Sequence, residues 1–251
     1  MTAKQGAWIE TLTWPEIAAR IETATVLIPI GARAKEHGPH LPLQTDYLVA
    51  RALCDGVANE MPVLVAPVVD FGYYPAFTEY PGSQHLRPET FQALLHDIVD
   101  GLIRHKAKRI AIVNTGVSTE GPVTVVVRET YARTGVRVAA AHIRTLGASA
   151  RGLMRQKLGG HADEAETSLI LAIDPASVHL ERAVEDYGNA LAAPANVFYE
   201  PTIFRADPAS GPDYSVSGVR GDPRAATAEK GRAILAAMVG DLVDGLRKLG
   251  A

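Results

Sequence analysis

An α/β fold, with a mostly parallel sheet flanked by helices on both faces, is what this sequence predicts. Strand-like and helix-like segments alternate along the chain, the mark of repeated βαβ units. The strand-like runs are short and continuously apolar, as strands covered on both faces must be. Polar and titratable groups gather where those runs end, and that is where an open α/β sheet places its ligands.

Each element has its own signal. Thr13-Trp14-Pro15-Glu16 opens a short helix, with Thr13 as cap, Pro15 in the first turn and Glu16 completing a capping box. Residues 25–30, Thr-Val-Leu-Ile-Pro-Ile, read as a buried strand. Residues 46–60 have helical spacing, with Leu48, Leu53 and Val57 on the apolar side. A strand is expected over 63–69 and a long loop over 70–87. Phe91, Leu94, Leu95, Ile98 and Leu102 mark a helix over 88–105. A strand over 109–113 ends at Asn114, a helix covers about 120–134, and a strand covers 136–142. The region 181–224 is the least regular, rich in proline and glycine, and is expected to wrap the domain or reach a neighbouring subunit. Ile234, Leu235, Met238, Leu242 and Leu246 define a terminal helix over about 225–248. No linker separates two domains, so 1–251 reads as one.

Composition narrows the function classes. Hydrophobic residues make up 47% and charged residues 21%, as in a soluble globular protein. A net charge of -3, with no basic run, argues against nucleic-acid binding. No apolar stretch approaches the roughly 20 residues that cross a bilayer. Met1-Thr2-Ala3-Lys4-Gln5-Gly6 lacks an apolar signal segment. The single cysteine, Cys54, excludes an intrachain disulfide and reads as a small core residue. A cytoplasmic protein is the expectation.

The chemistry concentrates in the loop after the strand at 25–30. Glu36-His37-Gly38-Pro39-His40-Leu41-Pro42-Leu43-Gln44-Thr45-Asp46 packs two imidazoles and two carboxylates into eleven residues. Glycine and prolines make it a shaped loop. Imidazole with carboxylate is the ligand set of zinc, manganese or iron; a solvated turn is the plain alternative. Three more segments fall at strand or helix ends: 79–85, 114–121 and 159–168. In the last, Glu166 enters an apolar helix that continues as Leu169-Ile170-Leu171-Ala172-Ile173. A carboxylate there must be satisfied. It either reaches back in a capping box with Asp163 as cap, or serves as a metal ligand or general base. His161, behind two glycines, would share that cleft.

Pro29-Ile30-Gly31-Ala32 with Glu36 to Pro42 and Thr45-Asp46 resembles the first metal motif of the creatininase (creatinine amidohydrolase) family. Tyr80-Pro81-Gly82-Ser83 resembles its second loop. His161 to Ser168 resembles its His-Ala-Gly-Glu-x-Glu-Thr-Ser segment. Gly221-Asp222-Pro223 with Ala226 to Gly231 resembles its C-terminal signature. The order matches across nearly the whole chain. The resemblance implies a three-layer α/β sandwich and a metal-dependent hydrolase of cyclic amides, formamides or related bonds, assembled as a homo-oligomer, often a hexamer. It implies His37 and Asp46 as metal ligands, Glu166 as a further carboxylate ligand and His161 as the histidine that moves the proton.

Departures from the family pattern shape the expectation. The family separates its first glutamate and histidine by one residue, whereas Glu36 and His37 are adjacent and the loop from Gly31 is one residue longer. Glu36 can serve as a ligand only if the backbone bulges. Gly116 stands where the family has a metal-binding histidine, and Phe77 where many members carry histidine. His85 stands where a small polar residue is usual. One divalent metal per chain is therefore expected, zinc first, with manganese or iron as alternatives. Held by His37, Asp46 and Glu166, it would lower the pKa of a water and polarise a substrate carbonyl. His161 would then take the proton. His40, His85 and Ser118 are candidate substrate contacts, and His40 reads equally as a brace for its loop. A small cyclic amide is the expected substrate, with a lactone or cyclic ketone as alternatives. A binding or assembly protein that has lost its metal is the competing class.

Overall fold

The computed structural model describes residues 5–188 and 201–249. Among them, five parallel strands form one sheet in the order β1-β3-β2-β4-β5. The strands are β1 Ala7–Trp8, β2 Thr25–Ile30, β3 Leu64–Val65, β4 Arg109–Asn114 and β5 Val138–His142. β2 pairs with β4 along its whole length, from Thr25 opposite Arg109 to Ile30 opposite Asn114. The helices are α1 Trp14–Ala18, α2 Thr45–Glu60, α3 Pro88–Arg104, α4 Glu120–Thr134, α5 Glu164–Ile173 and α6 Ala228–Leu249.

The two-residue period of a strand sorts the apolar side chains into two layers. Val26, Ile28 and Ile30 pack with Phe91, Leu95 and Val99 of α3 and with Val123 and Val126 of α4. Leu27 and Val113 face the other way, onto α2, α5 and α6. Covering both faces removes the polar side that an alternating strand would need, so the apolar runs are continuous. Each fully buried Leu, Ile or Phe contributes about 1.5–3 kcal/mol. Cys54 is buried in the α2 layer, and burial pushes its thiol well up from its ordinary value.

Two strands differ from expectation. The run at 63–69 yields only Leu64–Val65, because Pro67 has no N–H to continue the ladder. Pairing resumes as a single bridge between Val69 and Ile30. β5 starts at Val138, two residues late, and β1 is too short to leave a periodic signal. The capping box forms as expected, with the Thr13 N–H donating to Glu16 at 2.7 Å.

The described parts of the irregular region pack on the loops that follow the strands: the Phe204 N–H reaches the Ala76 carbonyl at 2.9 Å, and the Tyr80 hydroxyl reaches the Ser215 carbonyl at 2.5 Å. His161 and Arg220 exchange backbone hydrogen bonds at 3.2 and 2.8 Å, and Asp186 and Gly221 form a second bridge. Residues 189–200 of that region, and the N-terminal residues 1–4, lie outside the described ones. α6 then docks on α5. A Cβ on Gly231 would lie 1.8 Å from the Ser168 carbonyl oxygen, so only glycine allows this approach. Lys230 places its ammonium on the buried Glu164 carboxylate. No described helix is long and apolar enough to cross a membrane.

Candidate metal centre

β2 lies between β3 on one side and β4 on the other. Chain order therefore reverses beside β2, and the crevice beyond the ends of β2 and β4 is the switch point where such sheets bind ligands. The loop 31–44 fills one flank and 115–119 the other. Gly38 turns the first loop with a φ of 70°, which a side chain rarely adopts. The second loop braces it: Ser83 Oγ accepts the Glu36 N–H at 2.9 Å, and the Gln84 N–H reaches the Ala34 carbonyl at 2.9 Å.

His37 is fully buried and both its nitrogens are engaged. Nδ1 lies 3.0 Å from the Lys35 carbonyl, which can only accept, so Nδ1 carries the proton. Nε2 then turns its lone pair to Asp46 Oδ1 at 3.0 Å. Two acceptors facing each other need a cation or a further proton between them. A histidine that donates one N–H to a backbone carbonyl while aiming its other nitrogen at a carboxylate is oriented as metal-ligating histidines are.

His161 repeats the pattern. Nε2 donates to the Glu36 carbonyl at 2.9 Å and lies 3.1 Å from Glu36 Oε2. Its Nδ1 faces Glu166, 3.8 Å from Oε2. Donor atoms of His37, His161 and Glu166 all lie within 4.8 Å of one another. Phe77 stacks on His161 with centroids 4.2 Å apart, and Phe204 meets Phe77 edge-on at 5.4 Å, so an apolar wall covers the imidazole.

The carboxylates differ in state. Burial opposes ionisation of Asp46, but Lys35 and His37 outweigh it and hold the group well below the usual range. Lys35 Nζ sits 2.7 Å from Asp46 Oδ2. Glu36 is also held low: burial works against it, and the His161 bond and the Gly38 N–H overcome that. Burial pushes Glu166 up to about 7; the Asp163 and Asp46 charges add to this, and His161 and Lys35 oppose it.

Asp163 caps α5, accepting from the Ala165 and Glu166 N–H groups at 2.9 and 3.0 Å. Glu166 reaches back past the cap to the Ala162 N–H at 2.6 Å, which leaves its carboxylate at the centre. Of the other expected residues, His40 is buried, bonded to Thr167 Oγ1 at 2.8 Å, with Nδ1 unpartnered. Burial lowers it to about 4; the Glu36 charge opposes this, and nearby His37 and His161 add to it. Ser118 lines a cavity of about 10 Å³ with Lys35, Asp46 and Gly116. His85 is exposed beside Tyr73 and Tyr74 and is not among the donor groups that cluster with His37. Lys35 and Phe204 were not expected. A lysine two residues ahead of His37 was the available signal for the first; Phe204 sits in the irregular region and leaves none.

The donor chemistry fits a divalent ion: the His37 imidazole and the Asp46 and Glu166 carboxylates offer ligand atoms, the outer hydrogen bonds are in place, and His161 Nδ1 stands beside them. A groove of about 590 Å³ leads to Glu166, lined by Leu146, Met154, Gln156, Lys157 and Gly160.

Comparison with known proteins places the chain in a family. The creatinine amidohydrolase family pattern matches residues 10–246. A creatinine amidohydrolase of Pseudomonas putida is 27% identical over 273 residues, 97% of each chain. A mycofactocin precursor peptide peptidase of Mycobacterium tuberculosis is 31% identical, covering 87% of this chain and 83% of that protein. A 3-dehydro-scyllo-inosose hydrolase of Thermotoga maritima is 25% identical, covering 99% of this chain and 84% of that protein. A crystal structure of creatinine amidohydrolase superposes with a TM-score of 0.80 at 26% identity, covering 98% of both chains. A creatininase designated Mn gives 0.79 at 26%, covering 97% of this chain and 98% of that one. A mutant creatininase of Zn–Zn type gives 0.78 at 27%, covering 96% and 97%.

Proposed function

This chain belongs to the creatininase (creatinine amidohydrolase) family, and from that premise we propose that it is a metal-dependent hydrolase that cleaves an amide in the crevice beyond β2 and β4. The observation that carries the reading is His37 Nε2 turned to Asp46 Oδ1 with its other nitrogen committed to a backbone carbonyl. His37, Asp46 and Glu166 would hold one divalent ion, zinc first, with manganese or iron as alternatives. When bound, that ion supplies the Lewis acid and the activated water of amide hydrolysis.

The chain's own residues do the rest. The Lys35 carbonyl fixes the His37 tautomer, and the Glu36 carbonyl fixes that of His161. The unprotonated Nδ1 of His161 therefore faces the centre and can take a proton from water and return it to the leaving nitrogen. Phe77 and Phe204 keep bulk water off that imidazole. The groove beside Glu166 has room for more than a small ring. Together with the peptidase relative, this favours a substrate whose amide lies at the end of a longer, partly apolar molecule. A ring ketone is the second reading, favoured by the inosose hydrolase relative. A homo-oligomer in the cytoplasm belongs to the same proposal, and a monomer by light scattering at micromolar concentration would refute that part.

The test is elemental analysis of purified protein, followed by a turnover screen of lactams, formamides, peptide-end amides, lactones and cyclic ketones. Near-stoichiometric metal with amide turnover supports the reading. Persistent absence of metal after supplementation overturns it in favour of a binding protein.

A further inference from the structure

Asp46 has two oxygens, and only one faces His37. The other, Oδ2, accepts from Lys35 Nζ at 2.7 Å, with both side chains buried. The ammonium also lies 4.9 Å over the Phe77 ring, a cation–π contact that holds it in place. A metal ion using Oδ2 would have to displace this charge from an apolar enclosure, and charges repel strongly there.

The opposite wall offers no ligand either. Gly116 closes the cavity beside Asp46, and a Cβ there would lie 2.7 Å from Thr119 Oγ1. Thr119 is in turn tied to Asn114 Oδ1 at 2.7 Å, so the loop has no slack for a larger residue. Lys35 also stands two residues ahead of His37, at the spacing of the family's glutamate. Positions 35 and 116 beside Asp46, and 77 against the Lys35 ammonium, thus carry a cation, a glycine and an aromatic ring in place of donors.

We propose that the Lys35 ammonium is a built-in cation that takes the place of a second metal ion on Asp46, so that the centre works with one divalent ion and one lysine. This rests on the reading of the centre as metal-dependent.

Zinc binding by the folded full-length chain tests this, read by native mass spectrometry and by competition with a chelator, with circular dichroism as the folding check. Wild type is expected to bind one zinc. Lys35→Glu replaces the cation by a carboxylate beside Asp46 and Glu36, and is expected to bind two. Lys35→Met removes the charge without adding a donor; it is expected to keep one zinc and hold it about tenfold more tightly, because like charges no longer share one carboxylate. Two zinc ions in wild type overturn the proposal. So does wild-type stoichiometry in Lys35→Glu together with wild-type affinity in Lys35→Met. If Lys35→Glu does not fold, the affinity of Lys35→Met decides. No zinc in wild type but one in Lys35→Glu would keep the lysine as a cation surrogate and sink the hydrolase reading. No zinc in any form sinks both.

Discussion

Lys230→Met isolates the contact that fastens the last helix to the one carrying Glu166. The Glu164 carboxylate is fully buried and has three donors: the Arg155 N–H at 2.7 Å, the Gln156 N–H at 2.8 Å and the Lys230 ammonium. Removing one partner of a buried ion pair costs about 3–5 kcal/mol. The two backbone donors remain and still solvate the carboxylate, so the lower end, about 3 kcal/mol, is expected. For a chain of this size that lowers Tm by roughly 6–12 °C. Urea unfolding should show a lower midpoint at unchanged slope, since the native fold is kept. Glu164→Gln combined with Lys230→Met removes the stranded charge and should recover about 2 kcal/mol. A loss below about 1 kcal/mol for the single variant, or a double variant no more stable than it, would refute the argument.

Three further outcomes follow from the centre. His37→Ala should fold yet lose its metal, whereas His161→Ala should keep the metal and lose turnover by roughly 10²–10⁴-fold; metal loss in His161→Ala would make it a ligand instead. Glu166 rises from its ordinary 4.5 to about 7 on folding, so the metal-free native state holds a proton that the unfolded chain releases in that window. Metal-free stability should accordingly fall as pH rises from 4.5 to 7, and Glu166→Gln should flatten that slope; an unchanged slope counts against the shift. Zinc must displace the same proton, so affinity should climb by up to ~10-fold per pH unit below about 7 and then level off, as calorimetry can follow. Gly231→Ala should destabilise by about 1–3 kcal/mol or more, since its methyl would collide with the Ser168 carbonyl; wild-type stability would mean the two helices are free to part.

The parts of this molecule that are periodic were legible. β2, β4 and the long helices announce themselves through apolar runs and helical spacing, and their observed bounds lie within a few residues of expectation. β3 fell short because a single missing N–H at Pro67 outweighs six apolar neighbours. Around the centre, His37, Asp46, His161 and Glu166 came together because the motif types are specific. Lys35 was not anticipated, since its meaning depends on a 2.7 Å contact with a residue eleven positions away. Glu164 shows a subtler miss. A carboxylate in an apolar helix must find partners, and Glu164 needs them even more than Glu166, because Glu164 has no exposed surface at all. Its partner lies 66 residues further on, and no local pattern reports that.

The bond from His161 to the Glu36 carbonyl spans 125 residues of chain, and His161 itself is pinned by Arg220. On a ribosome, the loop after β2 therefore emerges long before anything can hold it in shape. Loop-closure entropy makes such distant contacts late and slow to form. A nascent chain stopped before α6 would have all five strands of its described sheet but no Lys230 to neutralise Glu164 and no helix behind α5. A polypeptide trimmed before α6 thus keeps every side chain of the centre yet loses the helix that backs α5, and with it the support of Glu166.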